Sequence, residues 1–271
     1  MKKTTIMLLL ALCFAVPACA GRGGADNADN DKREAKHSQA KKNPRVINGH
    51  EYVEIGGIKW ATMNVGATTV AGNDEVAAPD GIGGTFCSCY GTYFKWGETS
   101  PSTHYGWEYR PALAEGDNPV LSASHDAATA VWGDGWRTPT KQDVLALYVA
   151  CGGSQYSNGT CEMHNLQALT DKNKDSRGIY LCAADQTVAP EYKVAGVLFV
   201  QDAKHKLFCP AAGSVLDTTL TDAGITGCYW SSSLCTADTG DAHAMYVGLS
   251  KVLPEETGGR YLGFTIRPVA D

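Results

Sequence analysis

No stretch after the first twenty residues is apolar and long enough to cross a membrane as a helix. An excess of basic charge is missing too: Lys and Arg number 23 against 29 Asp and Glu, a formal net charge of -6. That excludes a general nucleic-acid binder, which needs a basic face. There is no C-x-x-C and no pair of histidines four apart, so the usual zinc patterns are missing. No G-x-S-x-G surrounds any serine, which removes the common hydrolase elbow. Gly81-Ile82-Gly83-Gly84 has neither the strand-to-helix setting nor the Lys-Ser/Thr of a phosphate loop. Neither heptads nor internal repeats occur. What is present is ample apolar material, 44% of 271 residues, enough for one sizeable core.

Met1–Ala20 has the form of an export signal, with Lys2-Lys3 ahead of the apolar run Ile6–Val16. Two processing routes fit. Val16-Pro17-Ala18-Cys19 resembles a bacterial lipobox, which makes Cys19 the lipidated residue and the lipid the only membrane attachment. Ala18-Cys19-Ala20 alternatively offers an A-x-A cut before Gly21. Gly21–Arg45 is polar, charged and nearly devoid of large apolar side chains, so it reads as a disordered linker. Folding is expected over Val46–Asp271.

Of the ten cysteines, Cys13 and Cys19 fall in the leader, which leaves eight. An even set in an exported chain reads as disulfides. Eight cysteines allow about 105 connectivities, so the pairing stays open; the preferred local pairs are Cys151 with Cys161 and Cys228 with Cys235, followed by Cys182 with Cys209. Cys87-Ser88-Cys89 is the tight pair, more suited to disulfides than to a metal.

Ala130–Tyr148 is the centre of the pattern. Trp132 and Trp136 bracket the turn Gly133-Asp134-Gly135. Thr140 caps the helix that follows, with Asp143 three positions on as in a capping box. Val144, Leu147, Tyr148 and Cys151 form its apolar face, and Gly152-Gly153 stops it. A shorter helix is predicted over Ser124–Val131, starting at Ser124 or Asp126. Tyr52–Ile55 and Ile58–Ala61 read as a hairpin around Gly56-Gly57. Further strands are expected at Tyr90–Trp96, Ile179–Cys182, Val194–Val200, Leu207–Cys209, Tyr229–Ser233, Ala244–Leu249 and Phe264–Val269. Two helices followed by a strand-rich half define one α+β domain.

Six blocks, in this order, closely resemble the Fibrobacter succinogenes major paralogous domain family of exported Bacteroidetes-type proteins: YVEIGGIKWATMNVGA, GTYFKWGETSP, WGDGWRTPTKQDVLALY, FCPAAG, YWSSS and GFTIRPV. They span roughly Val46 to Val269. The resemblance implies a C-type-lectin-like fold, a twisted sheet with two helices. GWRTPTKQDVLALYVACGG is similar to the helix start of formylglycine-generating enzymes. GGRYLGFTIRPV is similar both to those enzymes and to retroelement variable proteins. In the variable proteins the stretch equivalent to Ser233–Tyr261 displays the ligand-binding residues.

A lectin-like fold is not lectin activity, and the Glu-Pro-Asn, Gln-Pro-Asp and Trp-Asn-Asp tripeptides of calcium-dependent sugar binding do not occur. Asp171-x-Asn173-x-Asp175 has calcium-loop alternation, but Ser176 and Cys182 stand where the loop needs glycine and an acid; a polar turn explains it better. Cys228 and Cys235 evoke the copper-binding pair of formylglycine-generating enzymes, although their spacing and flanks favour a disulfide. Ser231–Ser233, His243 and Asp241 form no recognisable catalytic set. Two binding surfaces are expected. One is the aromatic loop His104, Tyr105, Trp107 and Tyr109. The other is Leu234–Arg260 and its border, with Asp238, Asp241, His243, Tyr246, Lys251, Glu255, Glu256 and Tyr261 offering a mixed polar and aromatic face. Trp230 and Arg267 are expected to be structural.

The resulting expectation is an exported, lipid-anchored envelope protein, facing the periplasm or the cell surface. It recognises an extracellular protein or glycan without catalysis, metal or cofactor. The alternatives are a retroelement-diversified display protein, a formylglycine-generating-type oxidase, and a structural envelope or pilus component.

Overall fold

A computed structural model describes residues 45–72, 74–78, 81–107, 119–156 and 161–271. The leader, Cys19, most of the linker and Tyr109 lie outside the described residues. In chain order the first elements are β1 (Val46–Ile47), β2 (His50–Ile55), β3 (Ile58–Ala61), β4 (Glu75–Val76) and β5 (Phe86–Cys87). Then come α1 (Ala127–Trp132), β6 (Trp136–Arg137), α2 (Lys141–Ala150), β7 (His164–Asn165), β8 (Gln167–Ala168) and β9 (Gly178–Cys182). The strand-rich remainder holds β10 (Gly196–Asp202), β11 (His205–Pro210), β12 (Ser214–Leu216) and β13 (Thr219–Thr221). It closes with β14 (Thr226–Leu234), β15 (Asp241–Gly248), β16 (Lys251–Gly259) and β17 (Val269–Ala270). The pairing is antiparallel apart from the β8–β9 pair and a few isolated bridges. With two α-helices among the described residues, this is an α+β fold.

Three sheets share the core. One runs β1-β2-β3-β17-β6, the second β11-β10-β9-β8, and the third β14-β15-β16-β7. Helix α2 lies where they converge. Its Val144, Leu147 and Tyr148 pack with Trp60 and Val269 of the first sheet, Val197, Phe199 and Leu207 of the second, and Tyr229, Met245 and Val252 of the third. Each sheet therefore buries apolar area against the same short helix, which ties the domain together.

The local predictions around this helix hold. Thr140 is its N-cap, and the capping box with Asp143 is formed. Arg137 adds an ion pair to Asp143 at 2.6 Å, and its guanidinium helps hold the Asp143 carboxyl below its ordinary range against the opposing effect of burial. The Gly56-Gly57 turn has φ of 63° and 78°, the left-handed pair that a two-residue hairpin requires. Asp126 caps α1, accepting from Ala128 N and Thr129 N.

Two expected strands are not regular. Over Tyr90–Trp96, Thr92 N bonds to Val65 O, Phe94 N to Phe264 O and Trp96 N to Arg260 O, so no single neighbour is followed long enough to make a ladder. Gly91 bends the start at φ 78°, and Val65 O lies 2.4 Å from where its Cβ would be. Gly263–Thr265 likewise makes isolated bridges to Val215, Phe94 and Tyr229 in turn. These crossing segments are buried and close the third core cluster, where Trp96, Trp132, Trp136, Trp230 and Phe264 meet. Trp230 and Arg267 are both structural: Trp230 donates to Phe94 O at 2.7 Å, and Arg267 to Asn64 Oδ1 at 2.7 Å and Thr62 O at 2.7 Å.

Two of the three preferred disulfide pairs, Cys228 with Cys235 and Cys182 with Cys209, are corrected by strand geometry. Cys87, Cys89, Cys151, Cys161, Cys182, Cys209, Cys228 and Cys235 form no disulfide in this structure. Cys228 lies near one end of β14 and Cys235 just beyond the other, on the order of 20 Å apart at strand rise, whereas a disulfide needs Cα atoms within about 7 Å. Cys182 and Cys209 sit on β9 and β11 with β10 between them, facing neighbouring residues Gly196 and Val197. They therefore point to opposite faces of the sheet and join different core clusters. Cys151 is sunk at the end of α2 near Cys209 and Arg177, while Cys161 is held by Glu255.

Candidate functional site

The C-terminal window contains a strand that sequence reasoning missed. β16 carries Pro254, two glutamates and two glycines, all poor strand formers. It pairs nonetheless with β15, and the register passes from Ala244↔Glu256 to Tyr246↔Leu253. Pro254 and Glu255 thus lie opposite Met245 alone, a bulge where the missing proline N–H is tolerated. A second irregularity lies on β14. Its register jumps from Trp230↔Ala244 to Leu234↔Ala242, so Ser231–Ser233 all fall opposite His243. These serines turn toward α2 instead. Ser232 N donates to Pro139 O at 2.7 Å, and Ser233 Oγ accepts from Lys141 N at 3.0 Å.

The two irregularities open a polar patch beside the start of α2. Asp241 pairs with Gly259 and His243 with Thr257, so these side chains share one face. The Tyr261 ring fills the space over Gly259, where a Cβ would meet it at 2.5 Å. Nearby, Lys141 Nζ lies 3.7 Å from Glu255 Oε1, and Cys161 N donates to Glu255 Oε2 at 2.8 Å. Burial and the Glu255 carboxylate push the Cys161 thiol up to about 12, so it is not an activated nucleophile. Burial, and the neighbouring Lys141 cation, lower the His243 imidazole below its ordinary 6.5 although Glu255 opposes them. Its Nδ1 is buried without a hydrogen-bond partner.

The other expected binding residues are elsewhere. Tyr246 is three residues from His243 on the same strand and faces the opposite side, with Lys251 Nζ 5.9 Å from its ring centre. Asp238 is exposed but shapes its own turn, accepting from Gly240 N at 2.8 Å. Glu256 is exposed beside Glu255. Tyr105 corrects the aromatic-loop expectation: it is fully buried, donates to Tyr93 O at 2.8 Å and packs against Gly263 and Val215. A large ring whose hydroxyl finds a buried carbonyl is more stable inside than displayed. Trp107, by contrast, is 75% exposed, and His104 is also exposed.

The alternating acids of 171–175 are already engaged. Asp171 pairs with Lys174 at 3.0 Å, Asp175 with Lys206 at 2.5 Å, and Asn173 Oδ1 accepts from Thr170 N at 2.7 Å. Among the described residues no group of three or more His, Cys, Asp or Glu is arranged to hold a metal, and no helix is long and apolar enough to cross a membrane. The Lys141–Glu255–Cys161 contacts had no local sequence signal, because they join three segments far apart in the chain. Compared with known proteins, the chain matches no protein-family model, no curated protein and no solved structure.

Proposed function

We propose that this is an exported, lipid-anchored cell-envelope protein of the Fibrobacter succinogenes major paralogous type, with a C-type-lectin-like domain that recognises an extracellular glycan or protein without catalysis. The observation that carries the reading is the shared face of Asp241, His243 and Tyr261. A carboxylate and an imidazole, both half-buried, lie on β15, and the half-buried Tyr261 ring covers Gly259 opposite Asp241. Such a set accepts and donates hydrogen bonds and offers a ring for stacking, and its rigid strands lower the ordering cost of binding. The resemblance of GGRYLGFTIRPV to retroelement variable proteins points to the same stretch. Trp107 offers a second exposed anchor.

The test is a binding screen of the mature protein against immobilised glycans and purified envelope and host-surface proteins, repeated with the Asp241→Ala/His243→Ala double variant. The expected result is a ligand whose affinity falls roughly tenfold or more in the double variant, about 1.4 kcal/mol, and is unchanged in Tyr105→Phe. Failure of both ligand classes, or equal binding by the double variant, overturns the reading.

A further inference from the structure

A separate cleft of about 300 Å³ lies on the second sheet, lined by Leu169, Lys174, Asp175, Val188, Ala189, Glu191, Tyr192, Leu198 and Lys206. Beneath it Leu169, Ala189 and Leu198 are buried core residues, so the base is rigid and the accessible lining is mainly polar. Tyr192 forms one wall and is locked by stacking on Phe208, with ring centres 4.3 Å apart and planes 13° from parallel. The rim alternates in charge. Lys206 of β11 clamps Asp175, and Lys174 pairs with Asp171 at the outer edge. Asn173, accepting from Thr170 N and donating to Ala168 O, fixes the loop that carries these groups.

The size sits at the small end of ligand pockets, too small for a folded partner. Two ammonium groups face two carboxylates, Asp175 and Glu191, so the lining has no net charge. A strongly anionic ligand would have to break ion pairs already made. A strongly apolar one would leave the charged rim desolvated without partners. What fits is a compact ring with one apolar face and a rim of groups that both donate and accept.

We propose that this cleft binds a single neutral pyranose-sized polyol, its ring face against the half-buried Tyr192 and its hydroxyls on Lys206, Asp175, Lys174 and Glu191. The site is independent of the β15–β16 face, so either can fail without the other.

The test is protein-observed NMR of the mature protein titrated with a panel of neutral methyl pyranosides, with glucuronate and inorganic phosphate as competitors in class. The expected result is millimolar binding of at least one methyl pyranoside, with shifts at Leu169, Leu198 and Tyr192. The affinity drops at least tenfold in Lys206→Gln and in Tyr192→Leu and is retained in the Asp241→Ala/His243→Ala variant. Lys206→Gln changes a rim residue only, so its native spectrum serves as the folding control. No binding by any pyranoside, tighter binding of phosphate or glucuronate, shifts centred elsewhere, or unchanged affinity in a folded Lys206→Gln protein overturns the proposal.

Discussion

Asp126 and Thr138 are joined by a three-contact clasp: Thr138 N donates to Asp126 Oδ2 at 2.8 Å and to Oδ1 at 3.1 Å, and Thr138 Oγ1 donates to Oδ1 at 2.8 Å. The same carboxylate caps α1, and Asp126 is only 3% exposed. One buried charge thus fixes both the start of α1 and the segment leading into α2. Asp126→Ala strands several buried donors at once and is expected to cost about 3 kcal/mol. Asp126→Asn keeps the shape but loses charge-assisted bonds and is expected to cost less. Urea denaturation of both variants checks the order; equal, negligible losses would mean that the clasp contributes nothing.

The α2 capping box gives a smaller effect. Thr140→Ala removes the acceptor for Asp143 N, at 3.1 Å, and is expected to cost about 1 kcal/mol. Asp143→Ala also breaks the Arg137 pair and is expected to cost more. Thermal unfolding midpoints rank the two.

Thiol chemistry follows from burial. Peptide mapping without reduction is expected to find no Cys228–Cys235 or Cys182–Cys209 link. Burial raises the Cys89, Cys151 and Cys228 thiols to about 12, so labelling by a thiol-specific disulfide reagent at neutral pH is expected to be slow in the native state and fast after unfolding. Rapid native labelling of Cys151 would contradict its placement.

Stability is expected to fall with acidification. Burial is the main factor lowering His50, His164 and His243 below 6.5, so below that value the unfolded chain binds more protons than the native one. The unfolding free energy therefore rises with pH across this window, and the contribution of these histidines is lost progressively as pH drops below 6.5 through their lowered folded values. Asp143, held low in the fold, adds a further loss only once pH falls through the ordinary carboxylate range near 3.8. Denaturant midpoints from about pH 7.5 to pH 5, compared with His243→Gln, check the sign; the variant is expected to flatten the slope.

Much of the frame was legible from local chemistry. The Gly56-Gly57 hairpin, the Asp126 and Thr140 caps and the tryptophan turn follow from residues within a few positions of one another. Strand β16 was hidden because Pro254 and the closing Gly258-Gly259 argue locally against a strand, and its partner β15 overrides them. Tyr105 was misplaced for the opposite reason: a polar, aromatic loop looks exposed until Tyr93 O, Val215 and Gly263 arrive from distant segments.

The sequence alone determined an α+β composition and one capped central helix, because these depend on short-range periodicity and capping. Only the tertiary structure decided which side chains meet. It separates Cys228 from Cys235 along one extended strand, turns His243 and Tyr246 to opposite faces, and brings Lys141, Cys161 and Glu255 together. Those outcomes rest on strand register and bulges, where a shift of one residue reverses every side chain, and no local signal carries that information.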